Sequence, residues 1–150
     1  MPTANTVRRF QLGDGNVSEK AAADKTKFDW VAQRTACSLP RVFRNMMDEV
    51  ETDVKARNDL RPQNAPYLFS IDEKGNVFTV ILESADFRRT VTFQLEDHAI
   101  LVLDNSGNQM FEVTLVFTDE GKCRMKAKEE NREAWQVRRM ALEDLLFRTI

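Results

Sequence analysis

Histidine occurs once in the 150 residues and cysteine twice. Those two scarcities exclude more than any feature that is present. A single His98 leaves one conventional general base near neutral pH. It follows Glu96 and Asp97 in a turn-like stretch, where a solvated role is expected. Zinc sites built from cysteine and histidine take four ligands in close local pairs. Cys37 and Cys123 stand alone, with no C-x-x-C or H-x-x-x-H. No metal and no cofactor is expected, and no catalytic residue stands out. There is no G-x-S-x-G, no Walker loop and no G-x-G-x-x-G. No apolar run approaches the ~20 residues needed to cross a bilayer, so no membrane span is expected. The opening MPTANTVRRFQLGDGN lacks a continuous apolar core, which argues against a secretory signal. A cytoplasmic location follows as an expectation. In that reducing setting the cysteines read as two small buried thiols, although an even count permits a disulfide.

Charge is abundant but balanced. Lys and Arg number 22 and Asp and Glu 24, for a net charge of −2. A strongly basic nucleic-acid binder is therefore not expected. The apolar fraction of 42% is enough to bury a core within one ordinary domain. Residues 1–17 read as a flexible terminus or one short strand, Val7–Leu12, and residues 18–150 as a single α+β domain.

Helical character begins near Ser18, with Phe28, Val31, Ala32 and Thr35 at helical spacing. A second helix is the clearest local signal. Ser38 can cap it, Pro40 suits its first turn, and Leu39, Val42, Phe43, Met46, Val50 and Val54 form one stripe. On its polar side Glu51 with Lys55, and Asp53 with Arg57, stand at i, i+4. Asn58 and Pro62 end it.

The period then changes from 3.6 to 2. Six strand-like segments run from Tyr67 to Lys128, separated by DEKGN, SAD, EDH, DNSGN and TDEGK. Connections this short cannot cross a sheet, so neighbours must pair antiparallel. Val91, Phe93 and Leu95 alternate with Thr90, Thr92 and Gln94, which predicts one dry face. VFTVIL and AILVL are apolar on both faces. They read as central strands or as part of a partner interface, which leaves a homodimer open. The chain closes with a helix from about Glu130 to Thr149, in which Ala134, Trp135, Val137, Ala141, Leu142, Leu145 and Leu146 cover half the circumference. Trp30 and Trp135 read as buried contacts.

The expected architecture is α+β: a six-stranded antiparallel meander packed on one face by N-terminal helices and a C-terminal helix. With Val7–Leu12 paired into the sheet, the order becomes strand, two helices, six strands, long helix. That order resembles the helix-grip fold of small lipid- and hormone-binding proteins. It implies a cavity between the sheet and the last helix.

Arg138 is the odd residue of the last helix, projecting from the middle of its apolar face. A guanidinium keeps its charge, so it must pair, reach water or meet an anion. Either an inward carboxylate meets it, or it anchors an anionic ligand. The site expected from the second case has Arg138 on an acidic head group and Val91, Phe93, Leu115, Met125 and Trp135 as apolar wall. Basic Arg88, Arg124, Lys126 and Lys128 gather on the polar strand face. No aromatic lies among the neighbouring Thr90, Thr92 and Gln94, unlike a single-strand nucleic-acid platform. The function expected is a non-enzymatic binding or protein-interaction module, the alternative a carrier of a partly apolar acid.

Overall fold

The computed structural model describes residues 27–149. Contacts divide the chain into Met1–Ala32 and Gln33–Ile150, and the architecture below is that of the second unit. The strand expected at Val7–Leu12 and the helix start near Ser18 lie outside the described residues, as does the whole segment 1–17. The first helix among the described residues, α1 (Trp30–Ala36), spans the division. The Asp29 carboxylate accepts from the Ala32 N–H at its start.

Helix α2 (Leu39–Asp59) follows after two residues. The Ser38 hydroxyl accepts from the Arg41 N–H, Pro40 sits in the first turn, and Phe43, Met46, Val50 and Val54 are buried. Spacings of three and four keep those side chains on one side of the helix.

Seven strands then run in sequence order, each antiparallel to the next: β1 (Tyr67–Lys74), β2 (Val77–Ser84), β3 (Arg88–Leu95), β4 (Ile100–Leu103), β5 (Gln109–Phe117), β6 (Cys123–Ala127) and β7 (Glu130–Arg132). The α+β meander expected from alternation is therefore present, with one strand more. The extra strand is β7, taken from what the sequence suggested was helix. Lys128 and Glu129 both hold positive φ, +52° and +65°, and make the two-residue turn that folds β7 back on β6. Helix α3 (Ala134–Glu143) starts only at Ala134, where the apolar stripe itself begins. The Glu133 N–H donates to Gln136 Oε1 at its start. A wider π-helical turn, Asp144–Arg148, ends the chain's helical run with the adjacent Leu145 and Leu146 both buried.

The register puts the large side chains on one face. Phe78 pairs with Phe93, Val80 with Val91, Phe93 with Val102, Ile100 with Val113 and Val113 with Ala127. The Phe78 and Phe93 rings stack at 4.6 Å, and Phe43 of α2 meets Phe78 at 5.2 Å. Val137, Ala141, Leu142, Leu145 and Leu146 join the same core, so α2 and α3 share this face. The opposite face mixes threonines with the apolar Ile81, Leu101 and Val116, and Thr79 and Thr92 are hydrogen-bonded across β2 and β3 at 3.2 Å. Among the described residues no helix is long and apolar enough to span a membrane.

The cysteines are a correction. They form a Cys37–Cys123 disulfide, with Cys37 buried and Cys123 exposed, rather than two buried thiols. Local periodicity has no means of finding this, since 86 residues separate the pair. The tryptophans are another. Trp30 and Trp135 are 61% and 51% exposed, and α1 buries none of its residues.

Among the described residues no strand pairs with the outer edge of β1, and α2 covers part of it. Asn58 Nδ2 donates to the Phe69 carbonyl at 2.8 Å while the Phe69 N–H donates to Asn58 Oδ1 at 3.0 Å. Arg61 Nη1 donates to the Tyr67 carbonyl at 2.7 Å. One side-chain amide thus stands in for a neighbouring strand, an edge protection beyond the helix-ending role its sequence position suggests. Asn58→Ala leaves both Phe69 backbone groups without these partners. Unfolding in urea is expected to show a loss of about 1–3 kcal/mol, whereas Asp59→Ala next to it changes stability by less than about 0.5 kcal/mol.

Candidate functional site

The seam between α2 and α3 holds the densest chemistry. Glu49, Asp53 and Arg57 recur at i, i+4 along α2 and so form one ridge. Arg138 of α3 projects into it. Its Nη1 lies 3.1 Å from Glu49 Oε1 and its Nε 2.7 Å from Asp53 Oδ2, with the side chain only 17% exposed. Two carboxylates from another helix thus meet the charge that the helical wheel places on an apolar face. The local pairs read from α2 alone change accordingly. Asp53 turns to Arg138 instead of Arg57, and Lys55 pairs with Asp59 at 3.2 Å instead of with Glu51.

Arg57, released from Asp53, closes the other end of the seam. Its Nε donates to the Leu146 carbonyl at 2.7 Å, inside the π-helical turn where backbone acceptors need partners. Its guanidinium lies 5.1 Å from the Phe69 ring centroid, 5.3 Å from Phe147 and 5.8 Å from Tyr67. Stacking of this kind suits arginine, whose planar cation is weakly hydrated.

Between these two ties lies an open groove of about 320 Å³. Ala56, Leu142 and Leu146 line it, together with Leu60, Trp135 and Phe147. The last three are 71%, 51% and 60% exposed, so the groove is shallow and greasy. Its charged rim is already paired. Arg139 binds Glu143, and Arg148 binds both Glu143 and Asp144. The hydrogen bond from Arg139, helped by the charges of Arg139 and Arg148, holds the Glu143 carboxyl below its ordinary range. The same bond raises Arg139 above its own.

Of the residues expected to line a ligand site, Arg138 and Trp135 meet on this groove. Met125 borders a different one, of about 170 Å³, with Val42, Met46 and Ala134. Leu115 is half-buried beside Met125, its partner across β5 and β6. Val91 and Phe93 are buried in the core beneath the helices. His98 is exposed in the turn between β3 and β4. Among the described residues no three His, Cys, Asp or Glu side chains gather as a metal site. Sequence reasoning passed over Arg57, Leu60 and Phe147 as site residues. A signal for Phe147 was present, since Leu145, Leu146 and Phe147 are three consecutive apolar residues and a single helical stripe does not take all three.

Comparison of the chain with protein-family models, curated proteins and solved structures finds no match.

Removing the central cation should leave Glu49 and Asp53 facing each other across a partly buried seam. Arg138→Met is expected to cost about 1–2 kcal/mol, a fall of roughly 3–6 °C in Tm by calorimetry. Arg148→Met, at an exposed pair, should cost less than about 1 kcal/mol. The Glu143 network has a definite pH sign. A carboxyl lowered in the folded state adds stability above its ordinary range, and that contribution disappears as pH falls through the folded value. Carbon-detected NMR should place the Glu143 midpoint below the ordinary glutamate range, and Arg139→Gln should move it back up.

Proposed function

We propose that this protein is a non-catalytic binding module that receives the apolar side of a partner polypeptide in the groove between α2 and α3. One observation supports this reading above the others: Leu60, Trp135 and Phe147 stand exposed around one groove whose rim charges already have partners within the chain. Exposed large apolar groups gathered in one place mark interaction sites, whereas scattered ones do not. Because the rim charges are paired, the groove offers its occupant apolar contact and shape.

The size of the patch favours a slender partner. Large aromatic side chains bury about 150–250 Å² each. With half to seven-tenths of each of the three exposed, roughly 300–400 Å² of apolar surface is available. That is well under the ~800 Å² each side buries in a standard interface. A helix or extended segment inserting two or three apolar side chains fits such a groove. The carrier alternative asks Arg138 to meet an acidic head group, and the grip of Glu49 and Asp53 on Arg138 makes that the weaker reading. In a cytoplasmic location, which this reading keeps, the Cys37–Cys123 bond meets a reducing thiol pool.

Selection from a random peptide library on the immobilised protein tests the groove. The expected winners carry apolar residues at i, i+3 or i+4, and i+7. Their Kd should rise at least about tenfold on Trp135→Ala and on Phe147→Ser, as at interface hot spots. Binding should survive Val116→Ser on the opposite sheet face. Failure to enrich any such pattern, or peptides that bind Trp135→Ala unchanged, would overturn the reading. Light scattering on the same samples reports whether a second copy is the occupant.

A further inference from the structure

A second site lies around the disulfide. Cys37 occupies the two-residue link between α1 and α2 and is 5% exposed, whereas Cys123 opens β6 and is exposed. A groove of about 350 Å³ runs past Cys123. Three arginines line it, Arg41, Arg124 and Arg132, against one acid, Glu133. Arg132 is partly engaged, with Nε on the Ala127 carbonyl at 3.1 Å and Nη2 3.7 Å from Glu130. Arg41 and Arg124 are exposed and take part in no salt bridge among the described residues. The accessible half of the disulfide therefore faces unneutralised positive charge.

We propose that Cys123 is a site of thiol–disulfide exchange with a small thiol that carries carboxylates, guided by Arg41 and Arg124. Exchange begins when a thiolate attacks a disulfide sulfur, so anions drawn into a cationic groove raise the local concentration of attacker. The direction of cleavage follows from the fold. Cys37 directly precedes Ser38, the N-cap of the 21-residue α2, and so sits at the positive end of that helix dipole. Arg34 Nη1 donates to the Cys37 carbonyl at 3.3 Å and adds positive charge beside it. Both features favour the Cys37 thiolate as leaving group. The incoming thiolate attacks Cys123 Sγ, a mixed disulfide forms there, and the electron pair of the broken bond leaves on Cys37 Sγ, which takes a proton from solvent. A second molecule of the same thiol, attacking the mixed disulfide, frees Cys123 and departs as the oxidised dimer. The bond from the α1–α2 link to β6 is then open, and the pair has passed two electrons' worth of oxidation to the thiol. This proposal rests on the disulfide and its arginines and is independent of the groove between α2 and α3.

The test uses the full chain, air-oxidised, with glutathione as anionic thiol and cysteamine as cationic thiol, at matched thiolate concentration and low salt. Intact mass and peptide mapping should show one glutathione adduct, on Cys123, with Cys37 becoming alkylatable. Glutathione should react about tenfold faster than cysteamine. In the double variant Arg41→Gln, Arg124→Gln that preference should shrink to about twofold or less, with the near-ultraviolet circular dichroism unchanged. Two alkylatable thiols before any reductant, an adduct on Cys37, equal rates for the two thiols, or a preference that survives the double variant would each overturn the proposal. So would exchange that proceeds only at the rate of global unfolding measured in urea.

Discussion

Two helices lie on one apolar sheet face, and a charged seam joins them. Arg138 is gripped by Glu49 and Asp53, and Arg57 is bound to the Leu146 carbonyl. Everything on that side of the molecule depends on the seam. An arginine between packed helices is costly unless its charge is met, and here two carboxylates one helical turn apart meet it. A third residue one turn further along α2, Arg57, holds the π-helical turn that follows α3. The helices are thus tied at two points, and the stretch between the ties remains open as the groove.

The same arrangement explains why the groove is apolar. Charges that would line it are used up in holding the helices or in the Arg139, Glu143 and Arg148 network. Leu60 at the end of α2, Trp135 at the start of α3 and Phe147 in the π-helical turn are left facing outward. The turn matters here. By burying Leu145 and Leu146 side by side it places Phe147 outside the core, against Arg57. The disulfide works on different elements, joining the α1–α2 link to β6, so the two regions do not share a residue.

The meander was legible because its signal is local. Alternation of Val91, Phe93 and Leu95 with threonines assigns faces, and short turns force antiparallel neighbours. Strand β7 was not legible, since Glu130, Asn131 and Arg132 carry no alternating apolar residue and their pairing rests on two positive-φ residues that are not glycine. Arg138 was recognisable as an anomaly from the helical wheel alone. Its partners were not. Asp53 has an equally good local partner in Arg57, and only the approach of α3 decides between them. The resemblance in element order to a helix-grip fold turns on Val7–Leu12, outside the described residues, while α2 covers the sheet alongside the terminal helix.

By itself the sequence determined the class of fold, the strand order, the dry face of the sheet and the apolar stripe of α2. Each of these is a periodicity that the backbone reads within a few residues. Only the tertiary structure decided where Arg138 and Arg57 bind, which large side chains stay outside, that Asn58 guards the edge of β1, and that Cys37 finds Cys123. Those are contacts between residues 11 to 89 positions apart. No local pattern encodes them, because they depend on how already formed elements come to rest against one another.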